Sequence, residues 1–355
     1  MFAKNLLPVA MALFFSFRRT LQFQLLKKPM ITAGCLVMFS SLPKQGEAAI
    51  SSQAKPLLDL PVEEDSQLSE MVAAVKEGGL LAKSIQDGVG RSRKTASFDL
   101  VTEGDIKCQA LLIEKLLKIF PGVPYVPEEK DVDACSEGME FVDIEYEKNQ
   151  ILGTTFLTID PIDGTSNYAS GSPDWGQLAC YVEDGLPNAA VLHMPLRSTT
   201  FSARRGRGCV REEEGGGGRR RGRVWIRDEA RRLADVLVGA EVHPLIEEGR
   251  LHRLARLMTG RHPAPGGARA LGVRNLSSSV GNLVDLLEGH TGAFVHLRGA
   301  SVWDLAAGAL AVEEAGGFCC DLRGRPLRWD RLKVECVMAV SEGLAREIVA
   351  ALGIG

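Results

Sequence analysis

The run Trp303-Asp304-Leu305-Ala306-Ala307-Gly308-Ala309-Leu310-Ala311-Val312-Glu313-Glu314-Ala315-Gly316-Gly317 limits the possible fold more than any other stretch. Alanine and leucine favour helix, and the closing glycine pair stops it. With so little side-chain bulk, such a helix must pack tightly against something, which places it inside a layered structure. Asp304 at its front reads as an N-cap worth about 1 kcal/mol. A carboxylate on so firmly placed an end is also a good metal ligand. Both readings stand at this stage.

A second acidic site lies upstream, in Ile159-Asp160-Pro161-Ile162-Asp163-Gly164-Thr165-Ser166-Asn167-Tyr168. Pro161 fixes its own φ and disfavours helix at Asp160, so both carboxylates leave a strand end through a stiff turn. Crowded carboxylates repel unless a cation lies between them, and hard oxygen ligands suit Mg²⁺. Gly164 lets backbone approach a ligand, so the Gly164 and Thr165 amides can hold an anion beside the metal. The rival reading is an ordinary acidic turn.

A third site precedes it. Asp99-Leu100-Val101-Thr102-Glu103-Gly104-Asp105 leads into Ile106, Leu111, Leu112, Leu116 and Leu117, an apolar stripe at helical spacing. Phe120-Pro121-Gly122 ends that helix. A short strand, Val123 to Val126, then reaches Pro127-Glu128-Glu129, which alone would pass for a solvated loop.

Taken in order, Asp-Leu-Val-Thr-x-x-Asp, Phe-Pro…Glu-Glu, Asp-Pro-Ile-Asp-Gly-Thr and Trp-Asp-x-Ala-Ala-Gly…Glu-Ala-Gly-Gly resemble the inositol monophosphatase family of lithium-sensitive, Mg²⁺-dependent phosphomonoesterases, over residues 68 to 350. The resemblance implies an α/β fold, an αβαβα sandwich of the inositol monophosphatase and fructose-1,6-bisphosphatase type, usually a homodimer. It implies that Glu128, Asp160, the Ile162 carbonyl, Asp163 and Asp304 bind two Mg²⁺ ions. Asp105 would help to hold a third, weaker ion, where lithium can enter. Thr165, with Glu128, would position the attacking water, and Gly164 and Thr165 would offer amides to the phosphate. Asp163, Asp304, Ser278 and Ser279 are the further substrate-side candidates, the two serines lying in a hydroxyl-rich pocket-lining segment.

Elementary chemistry agrees. Phosphomonoester hydrolysis is extremely slow uncatalysed, so charge neutralisation and positioning must supply most of the catalysis. No Ser, Cys or His nucleophile is required, the six histidines show no metal-like spacing, and no Gly-x-x-x-x-Gly-Lys-Ser/Thr loop occurs. One departure affects the substrate. Where the family carries an acidic contact to inositol hydroxyls this chain has Leu297, flanked by His296 and Arg298. Inositol monophosphate therefore leads a set that includes histidinol phosphate, sugar phosphates and nucleotide 3′-phosphates. A catalytically inactive relative acting as a binding protein is the remote alternative.

The chain has 355 residues, 25% of them charged, with a formal net charge of −3, which argues against a dedicated nucleic-acid binder. Its eight cysteines form no Cys-x-x-Cys pair and read as reduced and structural. Residues 1–50 form a leader whose first 46 residues lack Asp and Glu and carry Lys4, Arg18, Arg19, Lys27, Lys28 and Lys44. Its apolar runs are too short for a membrane span of about 20 residues. The leader predicts targeting to a mitochondrion or plastid, with export as the competitor.

Residues 51–210 and 224–355 read as two halves of a phosphatase domain joined by 211–223, a flexible Gly/Arg-rich surface loop. Ser69 to Ile85 reads as an amphipathic helix burying Met71, Val72, Val75, Leu80 and Leu81. Gly176–Val182 and Ala189–Met194 read as a strand pair, with Thr199–Ala203 a third strand. Helices are expected from about Ala230, around Pro244–Met258 and at Asn282–Glu288.

Overall fold

The computed structural model describes residues 65–86, 91–93, 100–129, 153–215, 218–243, 246–260 and 267–354. Asp99, the leader and much of the loop at 261–268 lie outside the described residues. The chain forms five layers. The outermost pair is α1 (Ser66–Ile85) and α2 (Glu103–Ile119), beside the short hairpin β1 (Arg91–Arg93) and β2 (Leu100–Thr102). Met71, Val72 and Val75 of α1 pack with Leu112 and Leu116 of α2, whereas Leu80 is exposed, contrary to its expected place on the buried face.

These helices cover a seven-stranded sheet that runs in chain order. Its strands are β3 (Tyr125–Pro127), β4 (Phe156–Asp163), β5 (Gly176–Glu183), β6 (Leu186–Met194), β7 (Thr199–Arg204), β8 (Gly208–Gly215) and β9 (Gly218–Val224). The pair β8–β9 corrects the flexible loop expected at 211–223. Glu212 pairs across with Arg221, Glu213 with Arg220 and Glu214 with Arg219. Opposite charges facing each other across an antiparallel ladder favour this register. Glu212 is buried and also takes Lys76 at 2.9 Å, which ties the hairpin to α1.

The central layer is α5 (Ser279–Leu287) and α6 (Val302–Glu314). Helix α6 touches both sheets. A Cβ added to Gly308 would lie 2.3 Å from Leu283 Cδ1, so close approach of the two helices requires glycine there. The second sheet has the order β11-β10-β12-β14-β13, from β10 (Leu237–Ala240), β11 (Gly272–Arg274), β12 (Ala293–Ser301), β13 (Phe318–Cys320) and β14 (Lys333–Ala339). Helices α4 (Glu248–Thr259) and α7 (Glu342–Leu352) cover its outer face. The helix expected from Ala230 is a single 3-10 turn at Leu233–Asp235, its first amide donating to Glu347. The six described cysteines are buried and unpaired, and among the described residues no helix is long and apolar enough to cross a membrane.

Candidate active site

Carboxylates gather where strands end. Strands β3 and β4 are parallel, so Glu128, just past β3, lies beside the end of β4. Strand β4 runs through Pro161 as far as Asp163, with a register shift against β5 between Asp160 and Asp163. That irregularity, in place of the turn expected from sequence, brings both carboxylates toward one side. Helix α6 presents Asp304 from its first turn. Ser301, not Asp304, is the N-cap, and the Ser301 amide donates to Asp304 Oδ2 at 2.7 Å in a capping box.

Oxygens of Asp160, Asp163 and Asp304 lie within 4.8 Å of one another. The charge of Glu128 bears on both Asp160 and Asp304. Burial pushes Asp160 well above the usual carboxylate range, with Glu128, Asp163 and Asp304 adding to it. Asp163 is raised by burial, then by Glu241 and Asp304. Asp304 rises to about 6, mainly through burial, although Lys333 opposes the shift. Asp160 Oδ1 is buried with no hydrogen-bond partner among the described residues. Clustered hard oxygens, one of them without a donor, fit a divalent cation.

Helix starts hold these groups in place. Asp163 accepts from Ser278 Oγ at 2.5 Å and from the amides of Ser279 at 3.1 Å and Val280 at 3.0 Å, at the positive end of α5. Ser278 also caps α5 by accepting from Gly281. Ser279 Oγ donates to Glu241 Oε2 at 2.9 Å. Both serines are thus buried, with their hydroxyls donated to carboxylates of the cluster. Asp105 caps α2 through Thr102 and accepts from Thr165 Oγ1 at 3.3 Å. Thr165 Oγ1 also reaches the Ile162 carbonyl at 3.2 Å. Gly164 has φ +82°, and a Cβ there would meet the Asp174 carbonyl at 2.9 Å, so glycine is obligatory before Thr165.

Glu241 has no counterpart among the residues expected from sequence. It follows β10, and its amide donates to Val295 of β12. Burial and Asp304 lift its carboxyl to about 7, against the donation from Ser279. An acid directly after an apolar strand was the available signal. Leu297 is buried and its carbonyl accepts from Arg250, so its side chain offers nothing polar to a ligand. Elsewhere Asp285, Glu288 and His290 also cluster. Arg197 and Arg274 neutralise Asp285, at 3.0 and 2.7 Å, and Arg211 neutralises Glu288 at 2.5 Å, which fills that group with guanidinium charge.

Comparison with known proteins agrees with this geometry. Inositol monophosphatase 2 of Rattus norvegicus is 28% identical over 283 residues, covering 79% of this chain and 87% of that protein. The Nus factor SuhB of Xylella fastidiosa is 35% identical over 227 residues, 64% of this chain and 70% of its own length. Among solved structures, the Thermotoga maritima IMPase superimposes with a TM-score of 0.63 at 25% identity, covering 81% of this chain and 97% of that one. The sequence model of the inositol monophosphatase family matches residues 63–353. The chain therefore belongs to the inositol monophosphatase family and is a phosphoric monoester hydrolase.

Proposed function

We propose that this protein is a Mg²⁺-dependent phosphomonoesterase acting on a small phosphorylated metabolite, with inositol monophosphate the first candidate. The observation that carries the reading is the group Asp160, Asp163 and Asp304, with oxygens within 4.8 Å of one another. Glu128, Asp160, Asp163, Asp304 and the Ile162 carbonyl would hold two ions, with Asp105 near a third. When bound, Mg²⁺ supplies positive charge for the phosphoryl oxygens and lowers the pKa of a water. The chain's own groups do the positioning. Thr165 Oγ1 and Glu128 orient the water for in-line attack, and the Gly164 and Thr165 amides face the phosphate. Glu241 offers a carboxylate to substrate hydroxyls, a role Leu297 cannot fill. Because that acceptor comes from a different strand, histidinol phosphate, sugar phosphates and nucleotide 3′-phosphates belong in the same test.

That test measures phosphate release from inositol 1-phosphate, histidinol phosphate, fructose 1,6-bisphosphate and adenosine 3′,5′-bisphosphate, with and without Mg²⁺. Turnover of at least one ester that stops on chelation is expected. No turnover of any would favour an inactive binding relative. The same reading includes inhibition by lithium at the weaker metal position, a homodimer, and free metabolites as substrates in preference to nucleic acid. The arginines of β9 support the last point, since they pair with glutamates of β8. The basic leader, cleaved near residue 50, would direct the enzyme to an organelle.

A further inference from the structure

Helix α2 meets the acidic cluster through two side chains one turn apart. Asp105 accepts from the Thr165 hydroxyl with Oδ1 at 3.3 Å, and from the Thr102 amide with Oδ2 at 2.8 Å. Gln109, four residues on, is fully buried. Its Nε2 donates to the Glu129 carbonyl at 2.6 Å, and its Oε1 accepts from the Glu129 amide at 2.9 Å. One carboxamide thus takes both backbone groups of a single residue, as a neighbouring strand would. The grip falls where the sheet stops supplying one. Pairing of β3 with β4 ends at Pro127, opposite Ile159. Glu129 is buried two residues further on, where an unmet amide or carbonyl would be costly. Glu128 is therefore bracketed, by the β3–β4 ladder before it and by Gln109 after it.

The start of α2 is seated just as closely. A Cβ on Gly104 would lie 2.7 Å from the Tyr168 hydroxyl and 2.9 Å from Ile162 Cδ1, so this turn rests directly against the end of β4. Further along, Leu112 and Leu116 share one buried core with Leu157 and Ile159 of that strand. An α-helix rises about 1.5 Å per residue, so Asp105 and Gln109 stand about 6 Å apart along its axis. The first is tied to Thr165 and the second to the Glu128–Glu129 segment, so one rigid turn spans the two.

We infer that Gln109 is a positioning residue: through the Glu129 backbone it sets Glu128 against Thr165, so that one turn of α2 gauges the distance between the two groups that orient the attacking water. The inference rests on the phosphatase reading above and adds to it a residue that acts only through backbone. Orientation of this kind is demanding, since a displacement of about 1 Å costs roughly 100-fold in rate. Gln109→Met keeps the length of the side chain and removes both hydrogen bonds. At saturating Mg²⁺ its kcat should fall by about tenfold or more, with KM for the ester within about twofold of the parent. Leu116→Ala loosens α2 two turns away; its Tm should fall while kcat stays within about twofold, which separates positioning from lost helix packing. An unchanged kcat in Gln109→Met, or an equal loss of kcat in Leu116→Ala, would overturn the inference. Native-state hydrogen exchange of the Glu129 amide, followed by NMR, reads the grip without turnover. Exchange about a hundredfold faster in Gln109→Met than in the parent, with the α2 amides still protected, is expected. Equal exchange in the two, or an unprotected amide in the parent, would sink the idea. Protection lost in the variant, beside a parent that hydrolyses no ester, would instead support the grip and reject the phosphatase reading.

Discussion

Replacing Asp304 by Asn tests how the cradle is held together, because it removes one charge and keeps the acceptor for the Ser301 amide. Asp304 rises from 3.8 to about 6 in the folded protein without metal. A carboxyl with a raised folded pKa costs nothing below its unfolded value, and the cost grows as pH climbs to the folded value. By linkage, the metal-free parent should lose about 3 kcal/mol between pH 4 and pH 7 from this group alone. For a domain of this size that is a fall of roughly 5 °C or more in Tm. Asp304→Asn should escape the loss. In EDTA it should be more stable than the parent at pH 7.5 and indistinguishable from it near pH 4. With Mg²⁺ the order should reverse above pH 6, since the parent gains Tm from the ion and the variant gains little. Turnover should fall by about two orders of magnitude or more, of the order seen when a key charge-stabilising group is removed. Scanning calorimetry across pH, with EDTA or Mg²⁺, is the assay. A flat Tm for the metal-free parent from pH 5 to 8, or a variant less stable than the parent at pH 7.5 in EDTA, would refute the reasoning.

Two further outcomes are expected. Asp163→Asn keeps one acceptor oxygen for the start of α5, so the fold should persist while turnover falls at least about 100-fold, and more Mg²⁺ should be needed for half-maximal rate; steady-state assays across Mg²⁺ concentrations that match the parent would overturn the ligand assignment. Glu212→Gln leaves Lys76 and Arg219, at 2.9 and 2.7 Å, without their shared carboxylate. It should cost about 2 kcal/mol by urea denaturation at pH 7. These partners hold the Glu212 carboxyl below its usual range, so the parent's advantage should vanish as the solution is acidified through that carboxyl's titration. A variant within 0.5 kcal/mol of the parent, in the scatter of ordinary surface changes, would show the pairing to be idle.

Much of the acidic cluster was legible because its carboxylates stand at the ends of apolar segments, and each is tied to a local signal. Pro161 and Gly164 punctuate the Asp160–Thr165 run, and the small-residue helix announces its own burial. What the sequence concealed follows from contacts between distant segments. Residues 212–223 read as a loop because glycine weakens strands, yet Glu212–Glu214 find Arg219–Arg221 across a tight register that local propensity does not encode. Asp304 read as a cap because position alone does not separate Ncap from N3; the Ser301-x-x-Asp304 spacing would have marked the capping box. Glu241 escaped notice as a lone acid, since its meaning depends on Ser279 and Asp304 arriving from elsewhere in the chain. Ser278 and Ser279 stand beside the acidic cluster, where their hydroxyls meet Asp163 and Glu241, partners that sequence spacing does not reveal.

The outer margin of the larger sheet is β9, whose pairing among the described residues is with β8 alone. A bare strand margin invites another polypeptide to hydrogen-bond along it, the first step toward fibrous aggregation. Arg219, Arg220 and Arg221 stand on this one and remain exposed. Two copies meeting margin to margin would bring six guanidinium groups together. An arginine tract on that margin disfavours such stacking, a protection that fades in concentrated salt, where the repulsion is screened.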